Sequence, residues 1–118
     1  MENRLNLLCE GGVIDKDICD GIRNVISQLE KQWAISVDHE QGVMALTHMA
    51  MAMMRSRRGE VIGAIDPDLL NEIRESEVFS QIESIHSQLL RHFNVLLHPN
   101  EEGYLLANLF SLWMVARS

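Results

Sequence analysis

The sequence predicts an all-α protein, a compact bundle of five to six helices. Ile18, Ile22, Val25, Ile26 and Leu29 repeat at helical spacing and form one apolar stripe. No stretch of useful length alternates apolar and polar residues as a half-buried strand does. Both prolines and four of the seven glycines, Gly11, Gly12, Gly59 and Gly63, fall between the apolar segments, where they punctuate helices.

A first short helix is expected over Glu2 to Glu10, stopped by Gly11-Gly12. Asp15 or Asp17 can cap the next helix, which carries the Ile18 to Leu29 stripe. Trp33, Ile35 and Val37 lie in or near the connection that follows. Ser36 or Asp38 is then expected to cap a long helix reaching Arg57 or Arg58, with Gly59 at its C′ position. Asp66 is a good N-cap with Pro67 at the first helical position, opening a short helix through Leu69, Leu70 and Ile73. Ser76 is expected to cap a helix with apolar positions Phe79, Ile82, Ile85, Leu89, Leu90 and Phe93. After His98-Pro99, Asn100 is expected to cap the last helix, Glu101 to Val115.

At 118 residues the chain predicts one domain, 1–118, and 47% hydrophobic residues suffice for a core without metal or disulfide staples. Cys9 and Cys19, ten apart, have no metal-ligand spacing and read as free thiols in a reducing compartment. The polar, acidic start MENRLNLLCEGG does not resemble a signal peptide, and no apolar run approaches the ~20 residues of a membrane span. Cytoplasmic placement, with no membrane contact, is therefore expected. Ten Lys plus Arg against 17 Asp plus Glu give a net charge of −7, which disfavours direct nucleic-acid binding. Arg55, Arg57 and Arg58 form a local basic run, most simply a solvated terminus that complements the helix dipole.

The segment Leu46-Thr47-His48-Met49-Ala50-Met51-Ala52-Met53-Met54-Arg55 stands out. Residues seven apart on a helix differ by about 20° in direction, so His48 and Arg55 share a face about 10 Å apart along the axis. Met44 and Met51 lie on the same stripe. Spacing alone leaves His48 open between a hydrogen-bonded structural residue and a functional one. The methionines read as adaptable core filler, although His48 with Met sulfurs could in principle make a soft Cu(I) site. No nucleophile elbow, HExxH, phosphate loop or dinucleotide fingerprint is present, so no catalytic residues, metal or cofactor are expected. His86 and His92, six apart, point to different faces. His39 and Glu40 sit at a helix start, His98 in a loop, and Glu101-Glu102 suits a helix N-terminus electrostatically.

Leu46-Thr47-His48 followed by Arg55, then Gly59, then Asp66-Pro67 with Leu69-Leu70 and Glu72-Ile73, then Glu102-Gly103-Tyr104-Leu105, resembles a PTS regulation domain (PRD) in order and spacing. The resemblance is strongest over 36–115. It implies a helical bundle that commonly homodimerises and whose histidines are phosphorylated by sugar phosphotransferase proteins, controlling transcription regulators. The donors it implies are the phosphocarrier HPr and the B component of a sugar permease.

Carried onto this chain, the first family histidine falls on His48, the phosphoacceptor candidate, and its companion arginine on Arg55, the phosphate-interacting candidate. The second family histidine falls on Asn108, which cannot form a phosphohistidine. The resemblance therefore implies a single stand-alone copy with one acceptor, no catalytic activity and no nucleic-acid-binding module of its own. A PRD-containing regulator is a further possible partner. The alternative is a constitutive dimerisation or partner-binding module that is not phosphorylated.

Overall fold

The computed structural model describes residues 1–118 and contains six helices and no strand. They are α1 (Glu2–Glu10), α2 (Lys16–Trp33), α3 (Glu40–Arg58), α4 (Pro67–Arg74), α5 (Phe79–Leu90) and α6 (Pro99–Arg117). The breaks fall where the chain punctuation demands. Gly59 adopts φ 74°, a left-handed conformation that closes α3 and that a residue with a Cβ adopts only under strain. Asp66 accepts a hydrogen bond from the Asp68 amide with Pro67 at the first helical position of α4.

Three caps differ from expectation, and in each the reason is local chemistry. His39, not Ser36 or Asp38, caps α3: its Nδ1 accepts from the Gly42 amide at 3.2 Å while Nε2 lies 3.0 Å from the Ser36 carbonyl. That pair of contacts holds the ring in the Nε2–H tautomer. His98 caps α6 in the same manner, its Nδ1 accepting from the Asn100 amide at 3.0 Å. The Asn100 side chain instead donates to the Ile62 carbonyl, so it ties α6 to the preceding loop. Ser76 accepts from the Val78 amide one turn before α5 begins. Phe93 lies beyond the end of α5, packed so closely on Gly21 of α2 that a Cβ there would collide with its ring. At the other end of the chain, α6 continues past Val115 to Arg117.

The core is built from the stripe of α2 (Ile18, Ile22, Val25, Leu29), the fully buried Ile35 and Val37 of the connection, and inward faces of α3, α5 and α6. α3 packs most extensively against α6, which also carries α5 and α4. Ala45, Leu46, Met49, Ala50, Ala52, Met53 and Met54 are buried, so most of the α3 methionines are core filler. This leaves one narrow outer stripe of α3 free of the core.

Cys9 and Cys19 are not free thiols. They are disulfide-bonded, with Cα atoms 6.1 Å apart. The turn at Gly11-Gly12 folds α1 back against α2, and that reversal brings the two sulfurs together. α1 is further fixed by Leu5, which is wholly buried.

Candidate functional site

Two stripes face each other across the α3–α6 contact. On α3 they are His48 and Arg55, seven residues apart; on α6, Glu101 and Asn108, also seven apart, with Tyr104 between them. The helices run antiparallel, so Arg55 meets Glu101 while His48 meets Asn108. Because seven residues complete nearly two turns, both pairs form on the same side of the interface.

The Arg55–Glu101 pair is bidentate. Arg55 Nε donates to Oε2 at 2.7 Å and Nη2 donates to Oε1 at 2.9 Å. The Glu101 side chain is 1% exposed, whereas Arg55 keeps a quarter of its surface in solvent (25%). The paired carboxylate raises the guanidinium's already high pKa. A buried carboxylate demands such a partner, since an unpaired charge away from water is costly. Gly103, two residues on, packs instead against the segment leading into α4, where a Cβ would collide with the Ile65 side chain.

His48 is half-buried, with its ring stacked on Tyr104 at 5.8 Å between centroids and 28° between planes. Its Nδ1 lies 3.2 Å from the Asn108 amide nitrogen. Asn108 can present either its nitrogen to an unprotonated Nδ1 or its oxygen to Nδ1–H, so it supports either neutral tautomer. Nε2 has no protein hydrogen-bond partner. Burial lowers the His48 pKa, Arg55 lowers it further, and Glu101 opposes both. The ring is thus biased toward the neutral, nucleophilic form.

On its other side His48 borders a groove of about 770 Å³ running along the outer stripe of α3. Met44, Thr47, Met51 and Arg55 line it from α3, joined by Ile62 and by Arg4 of α1. Thr47 Oγ1 is buried and has no hydrogen-bond partner.

Of the residues singled out from sequence, His48 and Arg55 share this groove, and Asn108 touches His48. The basic run does not form a patch: Arg57 is bound to Asp15 and Asp17, and Arg58 lies 3.9 Å from Glu60. No His, Cys, Asp or Glu cluster able to hold a metal is formed. His86 is buried with neither ring nitrogen paired, while His92 Nε2 meets Gln28 Oε1 at 2.6 Å. No helix is long and apolar enough to cross a membrane. Sequence reasoning missed Glu101 and Tyr104 as partners of the α3 stripe. The signal was there in the matched seven-residue spacings, but nothing local distinguished Glu101 from an ordinary first-turn carboxylate.

The chain is 54% identical over 116 residues to a protein of Escherichia coli (strain K12) described as "Uncharacterized protein YhfY", covering 98% of this chain and 97% of that one. It is 29% identical over 99 residues to an "Uncharacterized protein" of Haemophilus influenzae (strain ATCC 51907 / DSM 11121 / KW20 / Rd), covering 84% of this chain and 79% of that one. No solved structure matches it. Residues 23–111, which hold His48, Arg55, Glu101 and Asn108, match the PRD domain family. The chain belongs to the PRD domain family.

Proposed function

We propose that this chain is a regulatory module of the sugar phosphotransferase system, without catalytic turnover, in which His48 accepts a phosphoryl group. The observation that carries the reading is the state of the His48 ring: Nδ1 is held by Asn108, Tyr104 stacks on one face, and Nε2 is left without a partner beside an open groove. A neutral imidazole with a free nitrogen is a competent nucleophile. HPr or a sugar-permease B component supplies the group. The Nε2 lone pair forms the N–P bond while the donor's bond to phosphorus breaks and the donor side chain leaves. For Nε2 to attack, the ring proton sits on Nδ1 and the Asn108 amide turns so that its oxygen, in place of the nitrogen that lies 3.2 Å from Nδ1, accepts it.

The product carries about −1.5 to −2 additional charges, by analogy with other phosphorylated side chains. On a chain already at −7 this presses on any acidic interface. Arg55 retains Nη1 for the new oxygens, and drawing it toward them loosens its hold on the buried Glu101. A differential of about 1–3 kcal/mol between two assembly states, typical of allosteric coupling, is enough to change partner choice. The partner is a second copy of this chain or a PRD-containing transcription regulator. Incubation with phosphoenolpyruvate, enzyme I, HPr and the B component tests the reading: the protein should become phosphorylated, and a wild-type chain that stays unlabelled with every donor refutes it.

A second reading rests on Asn108 standing at the second family histidine. In it the module binds its partner constitutively and His48 is a hydrogen-bonded structural residue. Equal partner affinity of wild type, His48→Asp and His48→Ala would favour that reading over the switch.

A further inference from the structure

The PRD match begins at residue 23, so α1 and the start of α2 lie outside it. Yet α1 contributes to the groove beside His48, through Arg4. Three features fix its position. Leu5, the next residue, is completely buried, Cys9 is bonded to Cys19 of α2, and the amino terminus of Met1 lies 3.5 Å from Asp38.

The charges around the groove are not equivalent. Arg55 is neutralised by two hydrogen bonds from its guanidinium to the buried Glu101. Arg4 is exposed and enters no ion pair. Glu40 also lines the groove but lies beyond ion-pair distance of any cation. Arg4 is therefore the groove's uncommitted cation.

We infer that Arg4 is the positioning residue that draws an anionic phosphoryl donor into the groove and holds the phosphoryl group once it is on His48. The inference rests on His48 as the acceptor. It makes α1 a functional addition to the PRD helices: the helix delivers the positive charge that Arg55, committed to Glu101, cannot supply in full.

The test uses potassium phosphoramidate, a small anionic donor that needs no protein recognition. The His48 Nε2 lone pair forms the N–P bond as the donor's N–P bond breaks and ammonia leaves, with the imidazole proton remaining on Nδ1. Labelling is followed by phosphorus NMR on the full chain, with the His48 signal identified by its loss in His48→Ala. At low salt Arg4→Gln should label His48 about threefold more slowly, the size of effect that one unit charge exerts in water over a separation of about 6 Å. Arg4→Lys should stay near the wild-type rate. The difference should vanish near 1 M salt, where the screening length falls to about 3 Å. Arg4 is exposed, so folding is not at risk in either variant. Equal low-salt rates in Arg4→Gln and wild type overturn the inference. If phosphoramidate labelling depends on Arg4 but no protein donor labels the chain, the phosphotransferase reading falls and the role of Arg4 stands. If protein donors label His48 and neither route depends on Arg4, the role of Arg4 falls and the reading stands.

Discussion

Arg55 and Glu101 are joined by two hydrogen bonds of 2.7 and 2.9 Å across the α3–α6 contact, with the carboxylate almost wholly removed from water. This pair fixes the register of the two helices that hold His48 and Asn108. It also gives a sharp stability prediction. Arg55→Met should destabilise the fold by about 3–5 kcal/mol, because it strands a buried carboxylate. The double variant Arg55→Met with Glu101→Leu should recover most of that loss. Urea unfolding checks both, and an Arg55→Met protein as stable as wild type would contradict the buried pair.

His86 leads to a pH prediction. Burial pushes its pKa below the ordinary 6.5, against the opposing pull of Glu102 and Glu83, and neither ring nitrogen has a partner. The unfolded chain therefore takes up the proton first as pH falls. The stability held by neutral His86 is complete above the unfolded pKa and is lost as pH drops toward and through the lower folded value. His48 shifts in the same direction and adds to the slope. Urea midpoints should fall between about pH 7 and pH 5, and His86→Leu should flatten the fall. A midpoint that rises on acidification in that range would contradict it.

The Cys9–Cys19 bond yields a third prediction. Closing this ten-residue separation should contribute about 2–4 kcal/mol, chiefly by restricting the unfolded chain. Protein purified without reductant should resist alkylation until reduced, and Cys9→Ser should unfold at lower urea than the oxidised wild type. Rapid alkylation of both sulfurs in the unreduced folded protein would show that the bond does not form.

Asn108 gives a fourth. Asn108→Leu removes the partner of His48 Nδ1 and should slow phosphoryl transfer to His48 while leaving the stacked Tyr104 in place. Asn108→His restores the residue type of the second family position and should add a second labelled site to the chain. Peptide mapping at neutral pH distinguishes the two positions. Transfer in Asn108→Leu at the wild-type rate would remove Asn108 from the account.

The helices were legible because their limits are written in local signals. Gly59, Asp66-Pro67 and His98-Pro99 stop or start helices through backbone conformation and missing donors, wherever the rest of the chain lies. The caps at His39 and His98 were hidden, since an imidazole acts as a cap only when its Nδ1 is turned back on its own helix, and Ser36, Asp38 and Asn100 are ordinarily better caps. At the site, His48 and Arg55 were visible as a same-face pair on one helix. Their partners were not, because Glu101 and Asn108 lie 46 and 60 residues away and meet them only through the antiparallel packing of α3 on α6. The disulfide was concealed for a similar reason: ten residues of separation say nothing until the direction of α1 is known.

The most direct test of the central claim is to find the atom that carries phosphorus after incubation with phosphoenolpyruvate, enzyme I, HPr and the sugar-permease B component. Phosphorus–proton correlation NMR of the full chain should place it on Nε2 of His48, with no label in His48→Ala and a slower rate in Asn108→Leu. Equal labelling of His48→Ala, or phosphorus on Nδ1 of His48 where Asn108 sits, would contradict the account.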